Sequence, residues 1–64
     1  MQQLLKDNHY YTIKEDNTLI SCYSFQKGIQ FKVLYHSFEN VTIDIAGIQI
    51  MANEYELYQT VAEF

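Results

Sequence analysis

The sequence predicts an α+β fold: a small antiparallel β-meander of four to five strands with a short C-terminal helix, the alternative being an all-β small barrel. Three observations predict it. Apolar residues alternate with polar ones over residues 29–36 and again over 41–46, the period of a half-buried strand. Short turn signals, Asp16-Asn17 and Lys27-Gly28, separate the β-prone stretches. After Asn53 the spacing of apolar residues changes to a helical one.

Taken in order, Met1 to Lys6 reads as a helical turn or a loose tail, and residues 9–14 as the first strand. Residues 18–26 form the second strand and residues 29–36 the third. Treating both turns as two-residue loops sets the register. Ile13 then faces Ile20, Tyr11 faces Cys22 and His9 faces Ser24; on the other side Phe31 faces Ser24, Val33 faces Cys22 and Tyr35 faces Ile20. One sheet face thereby collects Tyr11, Ile13, Ile20, Cys22, Phe31, Val33 and Tyr35. The other face carries Leu19, Tyr23, Phe25 and Leu34 beside Tyr10, so it must be covered or serve an oligomer interface.

Ser37-Phe38-Glu39-Asn40 reads as a turn. Val41, Ile43 and Ile45 then alternate with polar or small residues as a fourth strand. At Ala46-Gly47 the apolar phase shifts to Ile48 and Ile50, which is met either by a bulge in one bent strand or by a tight turn into a fifth. Asn53 caps the last segment, Glu56 stands near the capping-box position, and Tyr55, Tyr58, Val61 and Ala62 follow helical spacing with Leu57 and Phe64 beside them. A strand over residues 55–61 is the competing reading.

Sixty-four residues make one domain, 1–64, whose core is marginal for its size and benefits from a partner subunit. Cys22 is alone, so it makes no intrachain disulfide and reads as a small buried hydrophobe. His9, His36 and Cys22 share no ligand spacing, so neither a metal nor a cofactor is expected. No apolar run is long enough to span a bilayer, and the N-terminal residues do not resemble a secretory signal; a cytoplasmic protein without membrane contact is expected. The two glycines are isolated, so there is no phosphate loop, and the Ser, His and Asp residues sit in no nucleophile setting; no catalytic residues are assigned.

Charge is the most directional feature. Residues 1–32 hold four Lys against Asp7, Glu15 and Asp16, net +1; residues 33–64 hold five carboxylates and no Lys or Arg, net −5. With four Lys, no Arg and net −4, the chain offers little counterion release, so direct nucleic-acid binding is not expected. An acidic surface with interleaved aromatics suits a basic protein groove. Glu39, Asp44, Glu54 and Glu56 are the candidate acidic rim, and Phe38, Tyr55 and Tyr58 the candidate anchors.

At Tyr23-Ser24-Phe25-Gln26-Lys27-Gly28 and Phe31-Lys32-Val33-Leu34-Tyr35 the chain resembles the small uracil-DNA glycosylase inhibitors of phi29-type phages. The family has an acidic residue where this chain has Lys32, and a helix where residues 29–35 here alternate like a strand. The resemblance implies a short acidic homodimer that blocks the DNA-binding face of an enzyme, with Phe31 and Tyr35 as contact residues. The expected function is therefore that of a non-enzymatic, phage-encoded anti-defence or anti-repair inhibitor. Its partner would be a host bacterial protein of the DNA-repair, nuclease–helicase or restriction type, and it would act as a homodimer or higher homo-oligomer. The alternative is a structural or regulatory homo-oligomer with no inhibitory target.

Overall fold

A computed structural model describes residues 4–61. The elements run β1 (Tyr10–Thr12), β2 (Thr18–Ile20), β3 (Tyr23–Phe25), β4 (Gln30–Ser37), β5 (Asn40–Ile45), β6 (Ile48–Asn53) and α1 (Glu54–Tyr58). The architecture is an open antiparallel sheet in the order β1-β4-β5-β6, a separate β2-β3 hairpin, and one short helix. No helix among the described residues is long and apolar enough to cross a membrane.

Turn chemistry builds the right-hand part of the sheet. Ala46 and Gly47 both adopt positive φ (52° and 83°), the backbone that a two-residue hairpin turn with the twist of its strands demands. The phase shift is therefore a tight turn, not a bulge: Ile45 pairs with Ile48, Ile43 with Ile50 and Val41 with Ala52. Ser37 pairs with Asn40 around Phe38-Glu39 in the same way.

The left-hand part departs from a simple meander. Residues 18–26 are not one strand, because Ser21 takes a positive φ of 58° and the chain reverses at Ser21-Cys22. Leu19 pairs with Ser24 and Ile20 with Tyr23, so none of the expected pairings across Asp16-Asn17 or Lys27-Gly28 forms. β1 instead pairs directly with β4, Tyr11 opposite Phe31, and the hairpin is an excursion between them. Local bonds secure the excursion. Gly28 N–H donates to the Ile13 carbonyl, Ile13 N–H to the Ile29 carbonyl, and Lys27 N–H to Asp16 Oδ1 at 2.9 Å. Cys22, at the hairpin turn, is exposed rather than in the core.

Burial follows the corrected register. Ile13, Phe31, Val33, Val41, Ile43, Ile45 and Ile50 are buried on the inner face of the sheet. Ile20 and Phe25 from the hairpin, Leu57 from α1, Val61 beyond it and Leu5 complete that core among the described residues. Phe25 is thus a core residue, not part of an outer face with Leu19, Tyr23 and Leu34; Leu19 and Tyr23 are exposed on the hairpin and Leu34 is half-buried in β4. Leu34 is also the extra residue of a β-bulge: Val33 opposes Ile43, whereas Tyr35 opposes the very next residue, Thr42. The bulge inverts the alternation, so Tyr35 leaves the core face and His36 joins it opposite Val41.

The helix is real but short. The Asn53 side chain accepts hydrogen bonds from the N–H groups of Tyr55 and Glu56, satisfying two of the first-turn donors. Its buried residues are Glu54 and Leu57, followed by Val61 beyond its end; Tyr55 is exposed and Tyr58 half-buried, so the buried stripe is not the expected Tyr55–Tyr58 one. Ala62 and Phe64 lie outside the described residues. Past α1 the chain meets the opposite edge of the sheet, where Val61 bridges to Ile13 and Lys14 N–H donates to the Thr60 carbonyl.

Candidate functional site

The turn between β4 and β5 combines a strained backbone with an unburied ring. Phe38 holds a φ of 57°, at the first position of a two-residue turn where glycine is the unstrained choice. Its ring is also 98% exposed. A left-handed φ costs a residue with a Cβ roughly 1–2 kcal/mol, and a large apolar ring left in water contributes nothing to folding. Pairing then places this turn beside the start of α1. Asn40 opposes Asn53, and Glu54 N–H donates to the Glu39 carbonyl at 2.8 Å. The exposed side chains of Phe38, Glu39, Tyr55 and Glu56 therefore belong to one end of the molecule.

Beneath that end lies an ionic cluster. The bulge at Leu34 turns His36 inward, where Nε2 meets Glu54 Oε2 at 2.9 Å and Nδ1 meets Asp7 Oδ1. Glu54 Oε2 also accepts the N–H groups of Leu4 (2.9 Å) and Leu5 (3.0 Å). Burial alone would lower the His36 pKa, but hydrogen bonds and charge attraction from Glu54 and Asp7 prevail and raise it above its ordinary value. Burial likewise pushes the Glu54 carboxyl up, yet the Leu5 amide, His36 and the Leu4 amide together hold it below its ordinary value. The imidazole and carboxylate thus favour each other's charged forms, and they tie the N-terminal segment, β4 and α1 together.

The expected contact residues separate accordingly. Phe38, Glu39, Tyr55 and Glu56 are exposed, on a turn and a helix start joined by the Glu54-to-Glu39 backbone bond. Glu54 is not a rim charge: it is 7% exposed, and its carboxylate is consumed by His36 and two backbone amides. Tyr58 packs against the core. Asp44 sits at the far end of β5 on the outer face, opposite Lys32 and Gln49. Phe31 is fully buried 6.0 Å from the Tyr11 ring, so it cannot be a contact residue in this fold; Tyr35 is exposed. Sequence reasoning did not find the Asp7–His36–Glu54 cluster, because its members lie far apart in the chain and the bulge that joins them carries no turn residue.

A shallow depression between the hairpin and α1, lined by Leu19, Ile20, Ala52, Glu56, Leu57 and Thr60, has a volume of about 40 Å³. No protein-family model matches the chain, and neither a curated protein nor a solved structure is found to be similar to it.

Proposed function

We propose that this chain is a non-enzymatic, protein-binding inhibitor that blocks a bacterial nucleic-acid-processing enzyme, with Phe38 as its anchor. The observation that carries the reading is the nearly fully exposed Phe38 ring held in a left-handed turn. Aromatic anchors at the centre of an interface dominate binding energy because they fill a pocket and shed water there. Glu39 follows this anchor in the turn, Tyr55 and Glu56 are exposed in the helix whose first N–H bonds that turn, and no Lys or Arg occurs anywhere in residues 33–64. Such an end complements the Lys/Arg-lined groove with which an enzyme holds phosphates. The only suggestion of a phage origin, and of anti-repair or anti-defence action, is the resemblance at residues 23–28 and 31–35. The depression beside α1, at about 40 Å³, is far below the several hundred Å³ of a small-molecule site.

The test is a tagged pull-down from bacterial lysates with mass spectrometry, run in parallel with Phe38→Gly and with Glu39→Lys/Glu56→Lys. The reading expects one nucleic-acid-processing enzyme at near-stoichiometric yield, lost with both variants and displaced by an oligonucleotide. Capture that the variants leave unchanged, or a captured enzyme whose activity is unaffected, would sink it.

A further inference from the structure

We infer that β6, the free edge of the four-stranded sheet, is where two copies of this chain pair as antiparallel strands and join their sheets into one. Of the two edges of that sheet, the β1 edge is met just past the strand's end by the C-terminal segment, through the Ile13–Val61 bridge and the Lys14-to-Thr60 bond, while β6 pairs on its β5 side alone among the described residues. In an antiparallel ladder the residues closing a two-residue turn form a hydrogen-bonded pair, and bonding alternates from there. With Ile45 and Ile48 closing the turn, the backbone groups of Ile48, Ile50 and Ala52 point toward β5, and those of Gln49 and Met51 point outward. An exposed row of such donors and acceptors is a template for another strand.

The occupant follows from charge and symmetry. A strand that pairs with its own copy about a two-fold axis sets residues against themselves or near neighbours, so any charge there meets its like. β6, Ile48-Gln49-Ile50-Met51-Ala52-Asn53, holds no charged residue in a chain of net −4, and it lacks the Lys or Pro with which proteins guard an edge. On the outer face Met51 (59% exposed) and Tyr35 (56% exposed) flank Thr42 in one cross-strand row that runs to this edge. Pairing with a second copy continues that row across the axis and shields it. Because a two-fold contact uses the same β6 edge in both copies, this pairing closes at two copies.

The inference stands apart from the proposed inhibitory action, since its test needs no partner enzyme. Light scattering on size exclusion and hydrogen exchange by NMR are applied to the full chain and to Gln49→Lys, Met51→Pro and Leu19→Asp. The first two variants put like charges across the axis or remove an outward N–H; the third alters the exposed hairpin instead. Wild type and Leu19→Asp should have twice the chain mass at about 100 μM, with the Gln49 and Met51 amides protected. Gln49→Lys and Met51→Pro should weaken association by at least about tenfold while circular dichroism is unchanged. A monomeric wild type at that concentration would overturn the inference. So would a dimer that Gln49→Lys leaves intact while its fold is native, or one that Leu19→Asp dissociates.

Discussion

Phe38 is costly to the free protein through its φ of 57°, and its 98% exposed ring returns no folding stability. Replacing it with Gly relieves the backbone strain and forfeits no buried contact, and Phe38→Gly should raise unfolding free energy by about 1 kcal/mol. Urea denaturation measures this, and a destabilised Phe38→Gly would mean that the ring supports the fold. His36 and Glu54 give a second prediction at the same scale. A histidine whose folded pKa is raised above 6.5 adds stability that is complete below the unfolded value and lost as pH rises through the folded one. A glutamate whose folded pKa is lowered below 4.5 adds stability present above that value and lost as pH falls through the folded one. The pair's contribution is thus greatest between pH 4.5 and 6.5 and declines on both sides. Denaturation midpoints followed from pH 4 to pH 9 should show, for wild type, an alkaline decline that is missing in His36→Asn. Glu54→Ala leaves His36 and two amides without their acceptor and should cost about 3 kcal/mol at pH 6.

The elements that were legible in the sequence are those whose cause is local. Asn53 and the carboxylates after it announce the start of α1, and the side chain does accept the two amides a cap should take. With five residues the helix has few internal bonds, so its entry matters: Asn53→Ala should lower stability by about 1 kcal/mol, read from the thermal midpoint. Ala46-Gly47 was legible as an interruption because the apolar phase changes there, and the positive φ of both residues resolves it as a turn. Ser21-Cys22 was not legible, since neither residue is a usual donor of positive φ, and the reversal there is what makes residues 18–26 a hairpin. Once that turn is missed, β1 is assigned the wrong neighbour and Cys22 the wrong side. The Leu34 bulge was hidden for a related reason: the period-two pattern continues through Tyr35 in the sequence while the backbone inverts it. Phe38, Glu39, Tyr55 and Glu56 could be singled out by residue type, but the approach of their turn to the helix start depends on the Asn40–Asn53 pairing, which type alone does not reveal.

On the scale of the molecule, the chain's path explains how so short a sequence holds an open sheet. β6 ends at one edge, α1 crosses to the other, and Val61 locks onto Ile13, the residue just past the strand that pairs with β4. This return makes residues 10–13, β1 and the residue after it, the partner of two segments remote from them in sequence. It also carries Leu57 and Val61 into the same core as Leu5, so both ends of the described chain are fastened to one set of contacts. The lock should therefore be cooperative with the whole fold rather than a local clasp. Val61→Ala, which removes two buried methyl groups at a 2% exposed site, should lower global stability by about 2 kcal/mol. Native-state hydrogen exchange distinguishes the two behaviours. Amides of β4 and β5, which lie far from Val61 in sequence, should lose protection by the same free energy as the Lys14 amide bonded to Thr60. If the Lys14 amide alone became faster while β4 and β5 kept their rates, the C-terminal segment would be a detachable strap and not part of the cooperative core.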